Sequence, residues 1–333
     1  MPRLFQSSVN NKKIKEKKLK IKSVKKGQDY LGFLFIKSQM TKTATNGSRY
    51  FNMVLNDADF DEIDGKKWDV KPEDEEIFTN GKLVKIKGKV QEFNNRLQLI
   101  VEKMRLADES DEVEINDFIE TVPVDIDEML GYIGDTIDDF TNTDIGAITK
   151  KIFSDQTETL SYFPAAKKHH HAIKGGLLYH TYSMLRIGKG LVGIYPFINR
   201  DLLYAGIILH DIGKINEMVS DENGSVSDYT PEGKLLGHIT QEIVELEVVG
   251  QSLGTDPEVL MMLKHMILSH HYQPEFGSPK RPMFPEAELL HHIDMIDARM
   301  YTMEQALNRV EPGSFTEPNW SLDGISLYRC RFE

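Results

Sequence analysis

The stretch Leu202-Leu203-Tyr204-Ala205-Gly206-Ile207-Ile208-Leu209 is dense in apolar residues and runs straight into His210-Asp211. A helix that is apolar on every side belongs in a core. A His-Asp pair at the end of such a helix is costly to take out of water unless something pairs with it. A divalent cation is the expected partner. The chain must then fold so that other segments bring further ligands to the same buried point.

Such segments are present. Upstream lies His180, within Gly175-Gly176-Leu177-Leu178-Tyr179-His180-Thr181, on a predicted helix. Downstream come His238 after a glycine, the pair His270-His271, and Asp294 within His291-His292-Ile293-Asp294-Met295-Ile296-Asp297. Imidazole nitrogens and carboxylate oxygens are the ligands of first-row divalent metals. Five histidines and two aspartates exceed the needs of one ion. They suit two ions about 4 Å apart with one carboxylate bridging, the arrangement used for in-line phosphoryl displacement. Asp294 and Asp297 share one face of the last helix. Lys214, about one helical turn past Asp211, can reach a phosphate oxygen as a fixed positive charge or satisfy helix-terminal carbonyls. Asp211 and Lys214 are therefore the expected catalytic pair. Manganese is the favoured ion, with cobalt, iron, magnesium and nickel also accepted by such ligands.

The order His180, His210-Asp211, His238, His270-His271, Asp294 resembles the HD phosphohydrolase superfamily in its two-metal form. Two stretches narrow this: His170-His171-Ala172-Ile173-Lys174-Gly175-Gly176 through Thr181, and Leu268-Ser269-His270-His271 through Glu275-Phe276-Gly277-Ser278-Pro279. Both resemble the YhaM family of 3′-to-5′ exoribonucleases, from roughly Gly27 to the C-terminus. The resemblance implies that Asp294 is the last metal ligand and Asp297 supports it. It also sets His170 and His171 behind the ligands or against an RNA phosphate. His291, three residues before Asp294, is expected near the metals.

The expected fold class is multi-domain α+β, an N-terminal OB-fold barrel followed by an all-α HD domain. From Ile145 onward apolar residues recur at helical spacing in Leu177–Ile187, Leu202–Leu209, Ile239–Leu253, Val259–Leu268 and Glu286–Ala306. From Asp29 to Leu106 short β-rich runs alternate with turns. Asn46-Gly47 predicts a two-residue hairpin loop, and Asn94-Asn95 a second turn. Val84, Ile86 and Val90 alternate with Lys85, Lys87 and Lys89. Several short strands in about 80 residues suit a small barrel, as the resemblance also implies. The expected domains are residues 1–27, a basic disordered extension; 28–106, the OB-fold; 107–145, an acidic linker and helix; and 146–333, the HD domain.

OB-folds bind single strands with a basic groove and aromatic platforms. Lys85, Lys87, Lys89 and Arg96 supply charge; Tyr50 is the chosen stacking residue, among Phe33, Phe35, Phe51 and Phe93, most of which fill a core.

Charge decides where a polyanion can bind. The formal net charge is −12, yet residues 1–27 carry a net of +9, leaving −21 for the rest. Residues 106–149 hold fourteen Asp or Glu and no Lys or Arg. Sequence-independent nucleic-acid affinity comes from Lys and Arg neutralising phosphates, so contact must be local. No apolar run is long enough to cross a bilayer, and Cys330 is the sole cysteine, which fits a reducing compartment. A cytoplasmic protein without a membrane partner is expected.

Two function classes follow. One is a metal-dependent exoribonuclease acting on single-stranded RNA, with single-stranded DNA a second substrate and a homo-oligomer compatible. The other is an HD hydrolase of a small nucleotide, a deoxynucleotide or cyclic dinucleotide, with the barrel as an interaction module. His271 is followed by Tyr272-Gln273-Pro274 rather than the Gly-Tyr-Pro extension of cyclic-dinucleotide enzymes, which counts against that branch.

Overall fold

The computed structural model describes residues 20–94, 96–167 and 171–332. The chain divides into two compact units, one ending at Phe118 and the other starting at Ile119. Each is described by itself.

The first unit is a five-stranded closed barrel. Its strands are β1 (Asp29–Thr43), β2 (Arg49–Asn56), β3 (Glu62–Trp68), β4 (Leu83–Phe93) and β5 (Arg96–Leu106), and a short helix α1 (Pro72–Ile77) follows β3. The order around the barrel is β1-β2-β3-β5-β4, with β3 and β5 parallel and every other pair antiparallel. Period-2 alternation builds the interior: Leu34 and Ile36 of β1, Phe51, Met53 and Leu55 of β2, Val84, Ile86 and Val90 of β4, and Leu99 of β5 are fully buried. This is the OB-fold architecture read from the sequence.

Three local readings change. The loop at Asn46-Gly47 is not two residues long: Thr43 pairs with Arg49, so residues 44–48 form the connection. Asn46 uses its side-chain oxygen on the N–H and hydroxyl of Ser48, which stabilises the wider turn. The sequence reading also overlooked β3. Its Glu-Ile-Asp-Gly-Lys-Lys-Trp run is too polar to signal a strand, and Ile63 is its one large apolar side chain facing in. Finally, the extension to residue 27 is ordered at its end. Ile21 and Val24 join the barrel core, and the Ile21 N–H donates to the Asp57 carboxylate at 2.7 Å. Residues 1–19 of that extension lie outside the described residues.

The second unit is helical: α2 (Ile126–Asp138), α3 (Thr143–Leu160), α4 (Gly176–Ile194), α5 (Arg200–Leu209), α6 (Lys214–Glu217), α7 (Pro231–Leu253), α8 (Pro257–Ser269) and α9 (Pro285–Leu307). A hairpin of β6 (Met218–Ser220) and β7 (Val226–Tyr229) lies between α6 and α7, so the unit is not purely α. That hairpin carries its own turn, Asp221-Glu222-Asn223-Gly224, in which the Asp221 carboxylate takes the N–H groups of Asn223 and Ser225.

Helix α5 is the centre, as its composition demands. Every residue from Asp201 to Leu209 is buried, and α3, α4, α8 and α9 pack around it. Asp201 is the polar exception. Its carboxylate accepts from the Thr141 N–H and hydroxyl and from the Asn142 N–H, at 2.7 to 2.9 Å, and so ties the α2–α3 junction to α5. No described helix is long and apolar enough to cross a membrane.

Candidate metal centre and nucleic-acid interface

Two helix ends and three helix interiors deliver the polar cluster. His180 lies on α4, His210-Asp211 directly after α5, His238 on α7, His270-His271 directly after α8, and Asp294 and Asp297 on α9. Two glycines make this geometry possible. A Cβ on Gly176 would collide with the His171 carbonyl oxygen, so only glycine lets α4 start against that loop. Gly237 has φ +71° and breaks α7 one residue before His238, which turns that imidazole inward.

Asp211 is the hub, and its two oxygens face different partners. Oδ1 lies 3.3 Å from His238 Nε2 and 3.8 Å from His270 Nε2. Oδ2 lies 3.3 Å from His210 Nε2 and 3.9 Å from His180 Nε2. The possible ligand atoms fall into two overlapping groups, Asp211 with His238, His270 and His271, and Asp211 with His180 and His210. Asp294 adjoins the second group, its Oδ1 3.3 Å from His180 Nε2.

The far side of each ring fixes its tautomer. A carbonyl oxygen can only accept, so His210 Nδ1 donates to Ile207, His270 Nδ1 to Ile267, and His271 Nδ1 to Phe276, at 2.6 to 2.9 Å. In each neutral ring the basic nitrogen is then Nε2. Carboxylates do the same for two others: Asp297 Oδ2 meets His180 Nδ1 at 2.7 Å, and Glu217 Oε1 meets His238 Nδ1 at 3.3 Å. Orienting partners of this kind are what metal-binding histidines have.

What is missing decides the chemistry. The Nε2 atoms of His210, His238 and His270 and the Asp211 Oδ1 are buried with no hydrogen-bond partner among the described residues. Leaving such groups dry costs about 1–3 kcal/mol each, and native proteins seldom tolerate it. Three basic nitrogens and a carboxylate oxygen converging in this way fit divalent cations.

Electrostatics agrees. Burial, with His271 and His210 alongside, holds His270 well below the ordinary histidine value, so it is neutral. Burial would raise the Asp211 carboxyl, but the charges of Lys214 and His210 outweigh it and hold Asp211 well below the carboxylate range. Burial would lower His180, yet its bonds to Asp294 and Asp297 push it up to about 10. Nε2 of His180 must lose that proton before it can ligate, so ligation there releases a proton.

The remaining expected residues are placed as follows. Lys214 Nζ donates to Asp211 Oδ2 at 2.6 Å. His171 is buried and its Nε2 meets Asp297 Oδ2 at 2.7 Å, behind His180. His291 Nδ1 donates to the His270 carbonyl at 2.7 Å. His170 lies outside the described residues. Glu217 was missed, because nothing in its local sequence separates it from other exposed-looking acids.

On the barrel the expected residues split into two places. Tyr50 pairs with Lys42 across β1, whereas Lys85 pairs with Phe33, nine positions earlier on that strand. Lys85 Nζ lies 3.6 Å from Asp111 and 5.0 Å over the Phe33 ring; Lys87 and Lys89 are exposed. Tyr50 instead stacks on Trp68 at 4.6 Å, and Lys66 lies over both the Tyr50 and Phe93 rings at 5.9 and 5.3 Å. Arg96 pairs with Phe93 across the β4–β5 turn. Phe35 and Phe51 are core residues. Trp68 and Lys66 were overlooked along with β3.

Comparisons with known proteins match both units. The family model described as HD domain matches residues 177–299, and that described as OB-fold nucleic acid binding domain matches residues 36–107. The chain is 43% identical over 301 residues to the 3′-5′ exoribonuclease YhaM of Geobacillus sp. (strain WCH70), covering 90% of this chain and 91% of that protein. It is 41% identical over 307 residues to the 3′-5′ exoribonuclease YhaM of Bacillus subtilis (strain 168), covering 92% and 96%.

Proposed function

The chain belongs to the YhaM family of 3′-to-5′ exoribonucleases, and from that premise we propose that it shortens single-stranded RNA from the 3′ end, releasing nucleoside monophosphates. Single-stranded DNA is a second substrate of the same chemistry. The observation that carries the reading is Asp211, whose two oxygens face two sets of inward imidazoles.

His180, His210, Asp211 and Asp294 would hold one divalent cation, and Asp211, His238, His270 and His271 the other. Cations held there would bring a water's pKa near neutrality, polarise the phosphoryl oxygens and offset charge on the leaving oxygen. Manganese is the favoured ion, because mixed His and carboxylate ligands suit it and accept cobalt, iron, magnesium or nickel as well.

The chain's own residues prepare this chemistry. The carbonyls behind His210, His270 and His271 keep Nε2 as the basic nitrogen, and Glu217 and Asp297 orient His238 and His180. Lys214 adds a fixed cation beside Asp211, suited to a non-bridging phosphate oxygen. His171 braces Asp297. Tyr50, Trp68 and Phe93 give the barrel a face on which bases stack without regard to sequence, and Lys66, Arg96 and the exposed Lys87 and Lys89 provide local charge in an acidic chain. A hydrolase of free nucleotides has no use for such a face. A cytoplasmic site of action follows from an RNA substrate and the lone, exposed Cys330.

The test is direct. With Mn²⁺ present, 5′-labelled single-stranded RNA should give a ladder shortening from the 3′ end, absent with Asp211→Ala. Intact RNA alongside turnover of a free nucleotide would overturn the reading.

A further inference from the structure

Immediately past His271 the chain makes a tight, highly determined loop. Tyr272 has φ +66°, a left-handed conformation that a bulky residue adopts only when its surroundings force it. The forcing contacts are visible: the Tyr272 N–H donates to Ser269 O, the Gln273 N–H to His271 O, and the His271 N–H to the Ser278 hydroxyl, at 2.8 to 3.0 Å. Such outliers, held by several bonds, gather at functional sites.

The strain presents a stack. The half-buried Tyr272 ring lies 4.8 Å from that of His291, with 36° between the planes, and the Arg281 guanidinium sits 5.3 Å over the Tyr272 ring. His291 is fixed in turn by its bond to the His270 carbonyl. The stack is thus attached at both ends to the ligand residues: Tyr272 follows His271 in the chain, and His291 is bonded to His270.

Arg281 is exposed, and no carboxylate among the described residues pairs with it. Lys280 beside it is exposed too, against one acid, Glu275, in residues 272–284. In a chain with formal charge −12, this rim is locally basic. An arginine laid on an aromatic ring is pre-organised and weakly hydrated, with a planar fork that matches a phosphate.

We propose that Arg281, on its Tyr272 platform, binds a phosphate of the RNA strand outside the scissile linkage, and so makes this site favour polynucleotides over short phosphodiesters. The proposal rests on the exoribonuclease reading. Arg281 is a substrate-binding residue whose contribution exists only when the substrate is long enough to supply that second phosphate.

A length series tests it. With Mn²⁺, kcat/KM is measured on oligoribonucleotides from a dinucleoside monophosphate to a decamer, for the full chain, Arg281→Ala and Arg281→Lys. In the unmutated chain kcat/KM should step up once the additional phosphate is present. Arg281→Ala should flatten that step by roughly 10- to 100-fold, the scale of one charged hydrogen bond, chiefly through KM, while matching the unmutated chain on the shortest substrate. Arg281→Lys should recover part of the step. An equal loss at every length, or an unchanged step, overturns the proposal alone. RNA left intact by the unmutated chain overturns the exoribonuclease reading and this proposal together.

Discussion

The two units handle charge in opposite ways. On the barrel, Lys87 and Lys89 stay in water, and Lys66 and Lys85 lie over aromatic rings. In the helical unit, His180, His210 and His270 are fully buried and Asp211 is 3% exposed. Solvated lysines cost the fold nothing, so their presence alone obliges no function. Buried imidazoles and carboxylates cost several kcal/mol unless compensated, so the helical cluster demands a partner where the barrel face only invites one. The contrast separates a site that folding energetics requires from one that surface chemistry permits.

Replacing the hub should break the contrast most. Asp211→Ala should lower RNA hydrolysis about 10³-fold or more, on the scale of losing a central electrostatic group, while RNA affinity measured by fluorescence anisotropy stays put. Affinity falling in parallel with activity would mean that the two units do not divide the work.

Glu217→Ala keeps every inward nitrogen and removes only the orienting carboxylate behind His238. Manganese affinity by calorimetry should weaken about 10- to 100-fold. An unchanged affinity would make the Glu217–His238 bond purely structural.

Metal removal sharpens the same point thermodynamically. Manganese at about 100 times its Kd should stabilise the helical unit by about 2.7 kcal/mol, seen as a calorimetric transition that moves up on Mn²⁺ addition and back with EDTA. Asp211→Ala should lose that response. A barrel transition that moves equally would show the ion binding elsewhere.

On the barrel, Trp68→Ala should weaken single-stranded RNA binding by about 1–3 kcal/mol, the worth of one base stack, and leave manganese affinity untouched. The opposite pattern would remove the Tyr50–Trp68 pair from the interface.

The smallest effect concerns Asp201. Burial would raise its carboxyl, but the Asn142 N–H and the Thr141 hydroxyl and N–H outweigh burial and hold it below the ordinary range. A depressed pKa stabilises the fold above the unfolded value of about 3.9, and that share is lost as pH falls through the native pKa. Asp201→Asn should therefore be less stable than the unmutated chain at pH 6, with the gap closing in denaturant melts as pH falls below the unfolded value of about 3.9. A gap independent of pH would rule out the charge as its source.

The helices were legible because apolar spacing survives in sequence: α5 reads as a buried helix from composition alone, and α4, α7, α8 and α9 from periodicity. The seven candidate ligands were legible because His and Asp are conspicuous on apolar segments. The polar strand β3 was not, and Trp68 and Lys66 went with it. Nor was Glu217, since an acid oriented toward an imidazole twenty-one positions away leaves no local mark. The loop 44–48 was misread because Asn-Gly fits turns of several lengths, and the flanking register decides which one forms.

Sequence by itself therefore determined the kinds of segment, the residue types capable of holding cations and the family resemblance. Only the tertiary structure decided that Asp211 turns one oxygen to each set of imidazoles, that each Nδ1 is engaged so that Nε2 faces inward, and that Tyr50 meets Trp68 rather than Lys85. The reason is physical. Periodicity and composition report whether a residue prefers water or a core, a one-body property. Bridging, tautomer and stacking depend on the relative placement of two or more side chains, which exists only once the helices and strands have packed.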